Sequence, residues 1–513
     1  MTGGRASLLL TPGTAARRST GSALVAVLVV VGLTCLVVVL RLPLLGAPLS
    51  PDEGGFLLLG SQWGPGRSLY GDYWVDRPPL LIGFFALADR LGGAVALRSL
   101  GLVAVAAAVL GAAAVGALAS PGASRARVAG LCALTAAVFV STPLFGGAEV
   151  DGEVVAMPLV LAGVALLLLA LRRAPGPART TALLGAGGIG AAAVLVKQNE
   201  WDVFVVLGVL LVSTWRRSGR DRMRARDLLV ALVGAAAVGA LVVGVAATLG
   251  TGPAALWDAV VTFRLDASRV IGRSASPAVP HRLRLLLLAL VVSGAPLVIA
   301  LLVRHLRRPV VDGAIDVRAP AAALLLWELF VVLAGGSYWL HYLLVLVPGL
   351  VLSVAVLEVG RRTPGSGRRV TAVPVLAWGA VACVVALGWT LGHPGPAREA
   401  APVVAWLGSH TEAGDDAVIA YGQPDILQAA GLASPYPDIW SLPVRVHDPR
   451  LHALAALLAG DRAPDWVVVP GGDLETWGVD ATAGTAALDA RYVRVADVDG
   501  YAIYQRDPTV STR

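Results

Sequence analysis

The amino-acid sequence predicts an α-helical polytopic membrane protein that ends in a small α/β domain. The chain has 513 residues, of which 56% are hydrophobic and only 15% are charged, whereas soluble proteins carry about a quarter charged residues. Apolar runs recur from residue 21 to about residue 392, and roughly 20 apolar residues suffice to cross a bilayer as a helix. Beyond residue 392 the runs give way to short alternating segments.

About eleven transmembrane helices account for the apolar part of the chain. The first run is too long for a signal peptide and lacks a small-residue cleavage site after it, so we expect it to stay in the mature protein. The predicted spans are 21–43, 94–119, 128–146, 154–171, 180–197, 201–215, 228–250, 283–303, 319–334, 338–359 and 371–392.

The arginines cluster in every second gap between these spans. A net charge of +7 is compatible with nucleic-acid binding, but basic residues in short gaps are the pattern that orients membrane helices. We therefore expect no nucleic-acid partner, a cytoplasmic tail at 1–20 and, after an odd number of spans, an extracytoplasmic C-terminus. The three cysteines lie within apolar runs and are expected to be packing residues (Cys35, Cys132 and Cys383).

Residues 393–513 are predicted to form the extracytoplasmic α/β domain, after the membrane domain at 21–392. Residues 393–402 are typical of a linker followed by a helix start. Four short β-type runs are bounded by turn residues, and two further runs are helical in pattern. The predicted strands are DAVIAYG, DWVVVPG, RYVRVADV and YAIYQR, and the predicted helices are ILQAAGL and RLHALAALLAG.

The first external loop, 44–93, places two adjacent carboxylates shortly after a span. In the stretch SPDEGGF, Asp52 and Glu53 lie between Pro51 and the pair Gly54–Gly55, and these flanking residues are expected to shape the backbone closely around Asp52. Carboxylates at a membrane surface can simply be solvated, yet ionisable groups at membrane depth are costly and indicate a functional site. Further along the loop, Asp76 and Arg77 precede two prolines that suit a helix start.

Three more carboxylates crowd into the third loop at the start of a span: Glu149, Asp151 and Glu153. A helix N-terminus favours negative charge, so capping is one explanation for Asp151. Three carboxylates within five residues exceed what capping needs. Like charges raise the pKa of at least one neighbour, which suits acid–base chemistry or the binding of a substrate hydroxyl.

Lys197 is the only lysine in the chain, at the end of a span in LVKQNEWD. A compact ammonium suits a phosphate oxygen; a snorkelling side chain or a partner for Glu200 or Asp202 is the alternative. His341 and Tyr342 open a late span in YWLHYLL, either as part of an aromatic belt or as part of a site. The arginines of the long seventh gap, among them Arg264, either meet a lipid phosphate or are solvated.

No nucleotide-binding loop, HExxH motif or Cys/His metal spacing occurs in the sequence. The run GAGGIG, 185–190, lies within a span and favours close helix packing through small residues. We therefore predict no cofactor. A divalent metal could bind the loop carboxylates, but the sequence does not require one.

Several of these features together resemble the family 39 glycosyltransferases of the C superfamily, which include protein O-mannosyltransferases and lipid A aminoarabinose transferases. The shared features are Asp-Glu followed by an aromatic residue, a basic residue before Pro-Pro-Leu, Lys-Gln at the end of a middle span, His-Tyr opening a late span and the terminal α/β domain. Two positions depart, because the family commonly has lysine in place of Arg77 and tyrosine in place of Phe56.

The resemblance implies an inverting membrane glycosyltransferase that takes a sugar from a polyprenyl-phosphate donor in the membrane lipid to an unknown extracytoplasmic acceptor. It implies that Asp52 is the general base, that Lys197 meets the phosphate and that the other residues hold donor and acceptor. The predicted catalytic residues are Asp52 and Glu53, and the predicted substrate-binding residues are Asp76, Arg77, Glu149, Asp151, Lys197, His341 and Tyr342.

The chemistry of these residue types agrees with the resemblance. A carboxylate can take the proton of an attacking hydroxyl, and a cation stabilises the departing phosphate. A membrane transporter or lipid flippase is the alternative, and it would place charges within the spans and use paired half-helices. A non-catalytic scaffold is a second alternative, which leaves the clustered carboxylates without a purpose.

Overall fold

The computed structural model describes residues 12–509 except 123, 216–221, 274–275, 277, 309, 311, 360–370 and 394–398, with side chains from residue 24 onwards. The predicted tail up to residue 11, two of the basic gaps (216–221 and 361–369) and most of the predicted linker lie outside the described residues. Up to residue 392 the described helices are α1 (Pro12–Arg41), α2 (Pro51–Gln62), α3 (Pro79–Arg90), α4 (Ala94–Ala119), α5 (Arg125–Ser141), α6 (Gly152–Arg172), α7 (Pro177–Val196), α8 (Asp202–Thr214), α9 (Ala225–Thr248), α10 (Pro253–Trp257), α11 (Phe263–Arg273), α12 (Ala278–Val292), α13 (Ala295–His305), α14 (Arg318–Ala334), α15 (Val347–Val359) and α16 (Val373–Gly392).

The predicted polytopic helical fold is confirmed. Seven of the described helices are long and apolar enough to cross a membrane, or eight if the bent pair Pro253–Arg273 and Ala278–Val292 is one span. Each of the eleven predicted spans coincides with one helix or with consecutive helices. Some are short, such as the 13 residues of α8, and the span predicted at 283–303 is broken between α12 and α13 at Gly294, whose φ is 80°. The count of eleven therefore stays a prediction.

Small residues bring the membrane helices into close contact. In α7, the run GAGGIG faces α9, and a Cβ on Gly187 would overlap the carbonyl oxygen of Ala231. On the same interface, a Cβ on Gly234 would overlap the carbonyl oxygen of Leu184. The close helix packing predicted for this run therefore depends on its glycines, since a side chain at these positions would keep α7 and α9 apart.

A four-stranded sheet organises the C-terminal region. The strands are β1 (Ala417–Ile419), β2 (Trp466–Pro470), β3 (Tyr492–Val498) and β4 (Tyr501–Arg506), in the order β1-β2-β4-β3, with β1 parallel to β2 and the other pairs antiparallel. All four coincide with the predicted strands. The described helices of this region are Ala401–His410, Pro424–Ala430, Ser441–His447, His452–Ala459 and Thr482–Arg491, of which the sequence patterns missed Ser441–His447 and Thr482–Arg491.

The C-terminal region packs directly on the first loop. One apolar core contains Phe56 and Phe85 from that loop together with Leu407, Ile426 and Ile503 from the C-terminal region. A Cβ on Gly54 would come within 2.5 Å of the Cα of Asp425, so the two backbones nearly touch.

A buried ion pair ties the first loop to α4 and to the third loop. Glu53 is fully buried, and its Oε2 lies 2.8 Å from Nη2 of Arg98 on α4. Glu53 also accepts hydrogen bonds from the backbone N–H groups of Ser50 at 3.0 Å and Val150 at 2.7 Å. Arg98 donates to the carbonyl oxygen of Ala148 at 2.6 Å. One pair of side chains thus fixes both loops that carry the predicted carboxylates.

Replacing Arg98 by alanine is expected to destabilise the protein by about 3 kcal/mol, because it leaves the charge of Glu53 buried without its partner. Thermal unfolding in detergent would measure this loss. The control is Arg67→Ala, which removes an ion pair with Asp72 whose two side chains are 64% and 57% exposed and should change the unfolding temperature little. Equal stability of Arg98→Ala and wild type would contradict the role given to this pair.

Candidate active site

A cavity of about 840 Å³ lies where the ends of several membrane helices meet the C-terminal region. Its size is within the range of small-molecule binding sites. Ionisable, polar and aromatic side chains from the membrane domain and from the C-terminal region line it. Among them are Asp52, Asp76, Arg77, Arg98, Glu149, Arg264, Arg282, Trp339, His341, Tyr342, Tyr421, Gln423, Trp440, Ser441, Arg445 and Trp477.

Asp52 reaches this cavity because it lies beside Glu53 in the first turn of α2. Adjacent residues of a helix do not point in the same direction, so the side chain of Glu53 is buried while that of Asp52 lines the cavity. The indole N–H of Trp440 donates a hydrogen bond of 3.0 Å to Asp52 Oδ1. In the described part of the chain, no group donates to Oδ2 of Asp52.

Glu149 is the second carboxylate that faces the cavity without an ion pair among the described residues. Burial raises its pKa to about 7, and the negative charges of Glu53 and Asp52 contribute to the increase. A carboxyl group with this pKa exists in both protonation states near neutral pH. It can therefore donate a hydrogen bond to a substrate oxygen or accept one from a hydroxyl.

Three arginines give another part of the wall a positive charge. Asp76 lies 2.6 Å from Arg77 Nη1 and 2.5 Å from Arg264 Nε. Burial acts to raise the pKa of Asp76, but Arg264 and Arg77 outweigh it and hold that pKa below its usual value. The guanidinium of Arg282 lies 4.2 Å from the centre of the Trp339 ring. Asp76 thus stays charged and orients two of the cations.

Lys197 lies in a layer behind the cavity wall. Its ammonium pairs with Glu153 and lies 5.3 Å from the centre of the Tyr342 ring. Asp151 caps α6, because its Oδ1 accepts from the N–H of Val154 at 3.0 Å, and its Oδ2 is 3.7 Å from His341 Nδ1. His341 and Tyr342 therefore separate this layer from the cavity.

The side chains of Asp151, Glu153 and His341 could hold a metal ion, because their ligand atoms lie within 4.8 Å of one another. Carboxylate and imidazole donors suit several divalent metals. The ammonium of Lys197 already neutralises Glu153 in this arrangement. The expectation of a cofactor-free enzyme is not tested by these distances and stays a prediction.

The structure brings six of the nine predicted site residues to one cavity, namely Asp52, Asp76, Arg77, Glu149, His341 and Tyr342. Asp151 and Lys197 lie one layer behind them, and Glu53 belongs to the buried ion pair with Arg98.

Sequence reasoning missed several cavity residues. Arg98 is a charge near the start of a predicted span, and that position could have identified it. Arg282 adjoins a predicted span and was not singled out. Trp440, Arg445 and Trp477 come from the C-terminal region, where no local pattern marks them.

No family model and no curated protein sequence matches the chain. Its fold is similar to that of solved structures. ArnT from Cupriavidus metallidurans bound to undecaprenyl phosphate aligns with a TM-score of 0.61 and 14% sequence identity, over 94% of this chain and 98% of that chain. The apo state of the same protein gives a TM-score of 0.57 over 93% of this chain and 97% of that chain, also at 14% identity.

The oligosaccharyltransferase of Archaeoglobus fulgidus in its apo form aligns with a TM-score of 0.55 and 12% identity, over 86% of this chain and 69% of that chain. The helical membrane fold expected from the sequence is therefore confirmed, since this chain shares its fold with ArnT and with the oligosaccharyltransferase.

Proposed function

We propose that this protein is an inverting glycosyltransferase that moves a sugar from a polyprenyl-phosphate donor to an acceptor outside the cytoplasm. The observation that carries the proposal is that Asp52, a carboxylate without a cationic partner among the described residues, shares one cavity with Arg77, Arg264 and Arg282. The fold shared with ArnT and with an oligosaccharyltransferase supports this reading. The sugar and the acceptor are left open, with protein, glycolipid and cell-wall glycan as candidates.

The reaction assigned to the cavity is a single displacement. An acceptor hydroxyl attacks C1 of the sugar while the bond from C1 to the phosphate oxygen breaks, and the hydroxyl proton passes to Asp52. A positioned base typically accelerates such a step by about 10²–10⁴-fold. The electron pair of the broken bond leaves with the polyprenyl phosphate, whose growing negative charge the arginines stabilise.

We assign the phosphate contact to the arginines that line the cavity, with Arg264 foremost. Asp76 holds Arg264 and Arg77 side by side, and paired guanidinium groups match phosphate oxygens well. Lys197 stays a predicted substrate-site residue. From its position beside Glu153 and Tyr342, it would act on a substrate by holding those side chains in place.

We further propose that the cavity opens on the extracytoplasmic side, with the N-terminus in the cytoplasm and the C-terminal region outside. The arginine-rich gaps support this orientation. It places the site where nucleotide sugars are absent, so that an enzyme there must use a donor already attached to lipid.

A transporter or lipid flippase is the second candidate, and a pair of carboxylates inside the bundle favours it. Asp202 and Glu328 are fully buried. The two carboxyl groups interact with each other, and Glu328 also accepts a hydrogen bond of 2.8 Å from the N–H of Gly349. Ionisable groups at this depth are common on transport pathways.

The replacement Asp52→Asn is expected to lower the transfer rate at least a hundredfold while the protein folds normally, because the amide cannot take the proton. The donor for the assay is the lipid-linked sugar that we expect to accumulate in a strain lacking the protein, identified by mass spectrometry. The rate is measured as release of polyprenyl phosphate by the purified full chain, with a membrane extract of that strain as acceptor source.

The matched control for that experiment is Asp72→Asn, which alters an exposed carboxylate of the same loop and should leave the rate unchanged. A transporter would respond in the opposite way, with transfer absent in every variant and lipid movement sensitive to Asp202→Asn. Full transferase activity of Asp52→Asn would rule out the proposed mechanism.

Replacing Arg264 by glutamine should reduce transfer by one to two orders of magnitude, roughly the effect of losing a hydrogen bond to a charged group. The same polyprenyl-phosphate release assay measures it. Arg269→Gln is the control on the same helix, since Arg269 pairs with Asp266 and its side chain is 64% exposed. If both variants matched wild type, the phosphate would have to bind elsewhere.

The pKa of Glu149 predicts a pH dependence of stability. The folded protein keeps a proton on Glu149 up to about pH 7, whereas the ordinary value is 4.5. Because the folded state binds more protons between these values, stability should fall as pH rises through this window. Thermal unfolding at pH 5 and pH 8 should therefore show a larger loss for wild type than for Glu149→Gln, and identical losses would contradict the raised pKa.

A further inference from the structure

We propose that Trp440, in the C-terminal region, is a positioning residue for Asp52, so that the catalytic centre is incomplete without that region. This inference rests on the proposed function, in which Asp52 takes the acceptor proton. The indole Nε1 of Trp440 donates a 3.0 Å hydrogen bond to Asp52 Oδ1 across 388 residues of sequence. No other side chain in the described part of the chain hydrogen-bonds to Asp52.

The ring of Trp440 is held in place by the first loop itself. Its centroid lies 5.5 Å from that of Phe56, and a Cβ on Gly55 would overlap the indole. Gly55 is therefore needed for the ring to approach α2, in the turn that carries Asp52. The glycines of SPDEGGF thus allow the C-terminal region to reach the predicted base.

Other contacts hold the segment around Trp440 independently of Asp52. The N–H of Trp74 donates to the carbonyl oxygen of Pro437 at 2.9 Å. The N–H of Ser434 donates to the hydroxyl oxygen of Tyr73 at 2.7 Å. The position of the indole therefore does not depend on its hydrogen bond to the carboxylate, and this independence is what a positioning residue requires.

The hydrogen bond gives the two carboxylate oxygens of Asp52 different roles. An indole N–H can donate but cannot accept a proton, so Trp440 orients Asp52 without competing for its chemistry. Oδ1 is occupied, and Oδ2 remains to receive the acceptor proton.

The test is Trp440→Phe in the purified full chain, which keeps an aromatic ring and removes the N–H. We expect kcat to fall on the order of tenfold. We also expect the KM for the lipid-linked donor to stay at its wild-type value, because the indole contacts the base and not the donor, so that only an interaction needed in the transition state is lost.

Tyr73→Phe is the matched control, since it removes another hydrogen bond between the first loop and the C-terminal region without touching Asp52. It should leave kcat unchanged. Wild-type kcat in Trp440→Phe would overturn the proposal. So would equal losses of kcat in both variants, or a loss that appears only as a raised KM, which would mean that Trp440 only helps the region to dock.

The proposed function is tested separately by Asp52→Asn in the same assay. If Asp52→Asn is inactive while Trp440→Phe behaves as wild type, only the role of Trp440 fails.

Discussion

The buried ion pair between Glu53 and Arg98 is the interaction on which the arrangement of this site depends. Glu53 binds Arg98 with one oxygen and the backbone of the third loop with the other. Because Asp52 is the adjacent residue, fixing Glu53 fixes the direction in which Asp52 points. The same pair holds the segment that carries Glu149. Two loops far apart in sequence thus present their carboxylates to one cavity through a contact that takes no part in the proposed chemistry.

The carboxylates around the cavity differ mainly in their partners. Glu53 has Arg98, Asp76 has two arginines, and Glu153 has Lys197. Each of these pairs neutralises charge that would otherwise be costly to bury. Among the described residues, Asp52 and Glu149 face the cavity without an ion pair. The cations thus leave two carboxylates available to bind protons. Asp52 is oriented by an indole N–H, and Glu149 has a pKa that is raised towards neutral.

Much of this could be predicted from the sequence, because hydrophobic patterning is local. Neighbouring residues in the sequence are enough to identify the apolar spans, the four strands and the two glycines that follow Asp52 and Glu53. Partners distant in sequence could not be predicted in the same way. Nothing near Lys197 shows that Glu153 binds its ammonium, and nothing near Asp52 shows that Trp440 approaches it. The seventh gap contains several similar arginines, and only the structure shows that Arg264 is the one that pairs with Asp76.

The central claim is that a proton-accepting carboxylate and a phosphate-binding cation share one cavity, and a structure of the full chain with undecaprenyl phosphate tests it most directly. The account predicts the phosphate group in contact with Arg264, in the same cavity as the side chain of Asp52. A phosphate group bound only at Lys197, behind His341 and Tyr342, or one bound at the other end of the membrane helices, would contradict it.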